Sequence, residues 1–81
     1  MELKVRFFAL YRERAGSNQI SLDLPEESTV ADLTAAVRRR FPNLAPPDVS
    51  IVVAVNADYA DPETLLGPGD DVCLIPPDSG G

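Results

Sequence analysis

Between Glu2 and Ala9 the chain alternates, with Leu3, Val5 and Phe7 on one side and Lys4, Arg6 and Phe8 on the other. A period of two predicts a β-strand with one face toward a core. The next stretch, Leu10 to Ala15, is made of helix formers and stops at Gly16, which predicts a short helical turn. Alternation returns from Gln19 to Leu24, where Ile20, Leu22 and Leu24 are separated by Ser21 and Asp23. Two strands with so short a connection read as an antiparallel pair.

Pro25-Glu26-Glu27-Ser28 interrupts the second strand. Thr29 then suits a helix N-cap, and Asp32 stands where it can return the capping hydrogen bond. Val30, Leu33, Val37 and Phe41 follow at spacings of three, four and four, so they form one apolar helix face, which Pro42 ends. Residues 43–48, with Pro46-Pro47, read as a rigid loop. Ile51 to Val55 is a nearly continuous apolar run and predicts a strand well inside a sheet. Asn56-Ala57-Asp58 makes a turn into a short piece around Tyr59-Ala60. Gly67-Pro68-Gly69-Asp70 is a second turn, and Val72 to Ile75 is the last strand. The order strand, strand, helix, strand, short strand, strand suits an α+β domain: a mixed sheet of four to five strands with one main helix across it. The first and last strands then lie parallel at its centre, and Leu3, Val5, Phe7, Val72 and Leu74 meet Leu33 and Val37. This is the β-grasp (ubiquitin-like) arrangement, expected over residues 1–76, with residues 77–81 a flexible C-terminal tail.

At 81 residues, 44% of them apolar, there is room for one folded domain and little for a deep catalytic cavity. The net charge of −6 opposes nucleic acid and anionic membranes and favours a partner with a basic surface. The one basic cluster, Arg38-Arg39-Arg40, reads as the solvated C-terminal end of the helix, where cations suit the macrodipole. There is no histidine and a single cysteine, so an internal disulfide and a Cys-His couple are excluded, and no metal-ligand spacing is present. Asp58, Asp61, Glu63, Asp70 and Asp71 lack the spacing of a calcium loop and read as turn residues plus an acidic surface. The N-terminal stretch lacks the apolar run of a signal peptide or membrane span, which predicts a cytoplasmic protein.

Five segments in this order, FFALYRERAG, STVADL, AVNADYAD, GPGDDV and LIPPDSGG, resemble the molybdopterin synthase small-subunit family of ubiquitin-like sulfur carriers. The resemblance runs from Val5 to Gly81. It implies that the carboxylate of Gly81, with Gly80 beside it, is adenylated by a ubiquitin-activating-like enzyme that uses ATP. A sulfur donor protein then supplies the sulfur of a thiocarboxylate. The tail next enters the synthase large subunit, which holds the catalytic pocket, and gives its sulfur to cyclic pyranopterin monophosphate in molybdenum cofactor biosynthesis. On this reading the small chain binds no cofactor itself.

The residues suit such chemistry. A carboxylate is a poor electrophile until its oxygen becomes a leaving group, so it must reach another protein's site to be activated. Gly80-Gly81, without Cβ atoms, passes a narrow channel, and Pro76-Pro77 gives the tail a stiff root. Pro77 to Gly81 spans up to roughly 17 Å at full extension. A terminal Gly-Gly alone also fits a frayed end; its place after a strand and a Pro-Pro favours a working one. Asp78 and Ser79 lie along the tail, where Asp78 is placed to orient it. Phe8, opposite in parity to Phe7, is expected to share the open sheet face with Cys73 and Ile75, together with either Val52 and Ala54 or their neighbours. Such an apolar patch suits docking of a partner, alongside Pro76 and Pro77. Cys73 itself reads as a packing residue rather than a sulfur-carrying thiol. Rival functions are a carrier of the same fold serving thiamine, cysteine or tRNA thiolation, a ubiquitin-like protein modifier, and a passive binding module.

Overall fold

Each alternating segment folds as a strand whose apolar parity faces a single core. In the computed structural model, which describes residues 1–77, the elements in chain order are β1 (Glu2–Phe7), α1 (Leu10–Ala15), β2 (Gln19–Asp23), α2 (Val30–Arg40), β3 (Val52–Val55), β4 (Asp58–Tyr59) and β5 (Asp71–Ile75). The strands form one five-stranded mixed sheet in the order β2-β1-β5-β3-β4. β1 and β5 run parallel at its centre, with Val5 opposite Val72 and Phe7 opposite Leu74. β2 pairs antiparallel with β1, and β3 antiparallel with both β5 and β4. Residues 78–81 lie outside the described residues, so the predicted tail is represented here only by Pro77.

The main helix starts where its cap was expected. The backbone N–H of Asp32 donates to Thr29 Oγ1 (3.3 Å), and the N–H of Thr29 donates to Asp32 Oδ2 (2.9 Å). This reciprocal pair satisfies donors that a helix start otherwise leaves open. Leu33 and Val37 are fully buried against Leu3, Val5, Phe7, Val72 and Leu74. Phe41, one turn on, meets the edge of Phe7 with ring centroids 5.4 Å apart. The core also takes Tyr11, Leu44 and Leu66, none of which lies in a periodic run long enough to reveal its burial.

Two turns set the start of β5. Asn56 and Ala57 both have positive φ, 50° and 75°, as a tight hairpin between β3 and β4 requires. The carboxylate of Asp70 accepts from the N–H of Gly67 (2.7 Å) and from Asn56 Nδ2 (3.0 Å), and Asn56 Oδ1 accepts from the N–H of Asp71 (3.0 Å). Asp70 thus ties the hairpin to the turn before β5. At the other end of the chain, the N-terminal ammonium donates to the carbonyl of Leu24 (2.7 Å) and pairs with Asp23 (3.1 Å).

The basic triplet departs from expectation. Arg39 and Arg40 are exposed, and Arg40 lies over the Phe41 ring at 5.5 Å. Arg38 is half-buried and turns away from solvent: its Nη1 donates to the carbonyls of Ala45 (3.3 Å) and Pro46 (3.1 Å), and its Nη2 to that of Val49. The physical reason lies in the loop. Its carbonyls have no ladder to join, and a guanidinium supplies several donors in a fixed plane. The first strand is also shorter than its alternation, because Ala9 takes φ 51° and turns the chain into α1. Replacing core and cap side chains should separate their contributions in urea unfolding: Leu33→Ala is expected to cost about 2–5 kcal/mol, Thr29→Ala about 1 kcal/mol.

Candidate functional site

The chain leaves the sheet from its middle. Leu74 is buried between Phe7 and Val53, and Ile75 is the last paired residue, opposite Val52. One bond extends the parallel ladder past the end of β1, from the N–H of Phe8 to the carbonyl of Leu74 (3.1 Å). That bond sets Phe8 level with Ile75. Pro76 then has no N–H to offer a neighbouring strand and ends β5. Pro76 is half-buried and Pro77 exposed. Asp78, Ser79, Gly80 and Gly81 lie outside the described residues. What the described residues fix is the point from which those four start, the end of a central strand.

Strand parity gives the sheet its two faces. Val5, Phe7, Val53, Val72 and Leu74 point into the core. Cys73 and Ile75 therefore point outward, and the register pairs them with Ala54 and Val52. This decides the question left open by the unbroken apolar run of β3: Val52 and Ala54 share the outer face. Phe8 is 45% exposed and joins them. Tyr59, the cross-strand partner of Ala54 and 80% exposed, extends the same patch. It is a surface residue that sequence reasoning missed, although counting pairs across the Asn56-Ala57 turn finds it. Toward β2 the outer face turns polar, with Lys4 opposite Ser21 and Arg6 opposite Gln19. The apolar part thus lies beside the tail root, an arrangement typical of a docking surface.

Cys73 sits within this patch, half-buried. Burial pushes its thiol above the usual range, the neighbouring Asp71 carboxylate adds to the rise, and Arg6 opposes it. Arg6 Nε is itself engaged with Asp71 at 3.2 Å. A thiol with a raised pKa is a poor nucleophile at neutral pH, because only the thiolate attacks. Cys73 fits packing and contact rather than sulfur transfer. Among the described residues no group of three or more acidic or cysteine side chains is arranged to hold a metal, and no helix is long and apolar enough to cross a membrane.

Behind the tail root lies a groove of about 260 Å³ whose walls include Leu10 and Tyr11 of α1, Pro46 and Val49 of the loop, and Pro76 and Pro77. Tyr11 is buried and its hydroxyl has no hydrogen-bond partner among the described residues. Burial raises its pKa, against the opposing pull of the Arg38 and Arg14 guanidinium groups. The hydroxyl therefore stays protonated at physiological pH. For Cys73, alkylation by iodoacetamide at pH 7 should run slower on the folded protein than on the urea-unfolded chain and speed up as pH rises; equal rates at pH 7 would remove the case for a suppressed thiolate.

Comparison with known proteins follows the geometry closely. A "Molybdopterin synthase sulfur carrier subunit" from Chlamydomonas reinhardtii is 37% identical, with all of both chains covered. Among solved structures, SAMP1 from Haloferax volcanii superposes with a TM-score of 0.87 at 28% identity, again over the whole of both chains. The same fold is present in the complex of subunits 1 and 2 of the molybdopterin-converting factor from Helicobacter pylori, with a TM-score of 0.70 at 24% identity and full coverage of both chains, a likeness of fold alone. The ThiS family model matches residues 5–81, nearly the entire sequence, and the chain belongs to the ThiS family.

Proposed function

We propose that this chain is the sulfur-carrier subunit of a molybdopterin synthase and works through the carboxylate of Gly81. The observation that carries the reading is the placement of the tail root: it leaves a central strand directly beside an exposed apolar face. A partner that covers Phe8, Cys73, Ile75 and Tyr59 meets Pro76-Pro77 at the edge of the same contact. Asp78, Ser79, Gly80 and Gly81 then have only to extend into that partner's site. The full-length likeness to chains named as synthase sulfur carriers supports the choice of pathway.

The chemistry follows from the weakness of a carboxylate as an acyl donor. At an activating enzyme the Gly81 carboxylate attacks the α-phosphorus of ATP, pyrophosphate leaves, and an acyl-adenylate forms. The terminal sulfur of a donor protein's persulfide attacks the acyl carbon, AMP departs with the bonding electrons, and a thiol then cleaves the S–S bond of the resulting acyl disulfide, leaving the thiocarboxylate on Gly81 and a disulfide on the donor side. In the synthase, the large subunit takes the tail and transfers its sulfur to cyclic pyranopterin monophosphate. This chain supplies the body, the docking face and the slim end; ATP is consumed at the activating partner. Gly80 and Gly81 matter by what they lack, since a Cβ at either position widens the tail where it must pass into an enclosed site.

A second reading, attachment to other proteins through Gly81 as a modifier, is favoured by the likeness to the small archaeal modifier protein 1 of H. volcanii, with a TM-score of 0.80 at 26% identity. The two part at the fate of the acyl-adenylate, which sulfur attacks in one case and a lysine amine in the other. Mass spectrometry after incubation with an activating enzyme, ATP and a sulfur source tests the first: exchange of one oxygen for sulfur at the last residue is expected, and isopeptide adducts without that exchange would favour the second.

Deleting Gly81 should abolish loading while leaving the circular dichroism spectrum and urea midpoint unchanged; a truncated chain that still supports cofactor synthesis would sink the carrier reading. Phe8→Asp should leave the fold intact and weaken binding to the large subunit by about tenfold or more, as loss of an aromatic anchor does. Isothermal titration calorimetry checks this, and an unchanged affinity removes Phe8 from the interface.

A further inference from the structure

Leu10 is a large apolar side chain that the sheet patch does not include. It opens α1 and is 43% exposed, close to the 45% of Phe8 two residues earlier. Ala9 between them takes φ 51°, so Phe8 is carried by the end of β1 and Leu10 by the helix. Leu10 lines the groove behind the tail root, as do Val49, Pro76 and Pro77. Patch and groove are therefore continuous at two places, from Phe8 to Leu10 and from Ile75 to Pro76. The charge of the groove is unlike that of the chain. Arg14 is the one charged side chain along it, with no aspartate or glutamate, in a protein of net charge −6. Glu13 and Asp48, next in sequence to lining segments, are exposed and take no part in its walls. Tyr11, which also lines it, stays protonated because burial raises its pKa, and so adds no negative charge. Arg14 Nη1 donates to the carbonyl of Leu44 (2.9 Å). That bond uses one of the five guanidinium donors and holds the fork beside the groove with the others available.

We propose that this groove is a second docking site, filled by an acidic segment of the partner protein: one apolar side chain lies in the cleft and a neighbouring carboxylate pairs with Arg14. On the carrier reading above, on which this rests, the partner is the synthase large subunit. Size favours a side chain over a free metabolite, since the groove holds about 260 Å³ and small-molecule sites run from roughly 300 to 1,000 Å³. Charge selects the carboxylate, because an apolar cleft with a guanidinium at its side and no acid along it attracts an anion that brings its own apolar group. The overall charge of this chain favours a basic partner, whereas the contact at the groove has the opposite sign. Such a local reversal distinguishes one orientation of the carrier on its partner from the others that the apolar patch alone permits.

Calorimetry of the full chain with the large subunit tests the site. Leu10→Gln and Arg14→Gln are each expected to weaken binding by about tenfold. Arg39→Gln removes the same charge from an exposed position on α2 and should bind within about twofold of wild type. Equal losses in Arg14→Gln and Arg39→Gln would trace the effect to overall charge, and an unchanged affinity in either groove variant leaves the groove without an occupant; each result overturns the proposal. Arg14 also ties Leu44, so a folding defect could mimic its loss. Leu10 lies outside the buried core and its replacement breaks no hydrogen bond, which keeps the test independent of stability. A large subunit that does not bind wild type at all ends the carrier reading instead. The groove is then judged by nuclear magnetic resonance with N-acetyl-leucine, which joins an isobutyl group to a carboxylate, against its uncharged amide. Saturable amide shifts at Leu10, Arg14 and Val49 that are weaker with the amide and lost in Arg14→Gln support the site. No saturable shift, or an equal response to acid and amide, rejects it.

Discussion

Parallel pairing of β1 with β5 is the constraint on which the rest of this molecule depends. It joins the first strand of the chain to the last and seats both at the centre of the sheet. Val5 and Val72, and Phe7 and Leu74, become neighbours in a core closed by Leu33 and Val37 of α2. Because side chains alternate along a strand, burying one parity of β5 commits the other to the outer face. The same pairing that stabilises the domain thus presents Cys73 and Ile75 outward. It also fixes the place where the tail begins.

Much of this architecture is readable in local sequence. The alternation of β1 and β2, the Thr29–Asp32 capping box, the apolar stripe of α2 and the Gly67–Asp70 turn each express a short-range rule, and each is present as expected. Features that depend on distant partners are harder to read. An unbroken apolar run such as Val52–Val55 carries no alternation from which to choose a face, and only its register with β5 decides. Arg38 has the chemistry of a solvated helix end and is drawn inward by carbonyls on a loop up to eleven residues away. Tyr11 and Leu44 lie in segments too short to show a period, and their burial follows from how α1 and the 45–49 loop close over the end of the core. The significance of Gly80-Gly81 rests on resemblance and on the chemistry of acyl transfer, since those residues lie beyond the described ones.

The surface near the tail root divides into two regions with different physical demands. The outer face offers apolar area, which gives affinity by excluding water and tolerates some rearrangement. The groove behind it is built from proline rings, a buried tyrosine and a loop tied by charged donors, all of them choices that limit motion.

The placement of β1 and β5 also governs when the molecule can exist at all. Contacts between the two ends of a chain make for a high contact order, and no native sheet centre is available until the final strand has been synthesised. An incomplete nascent chain lacks β5 and, with it, half of its central pairing. Folding is thereby coupled to synthesis of β5: any copy that acquires the native sheet has already been translated as far as Ile75.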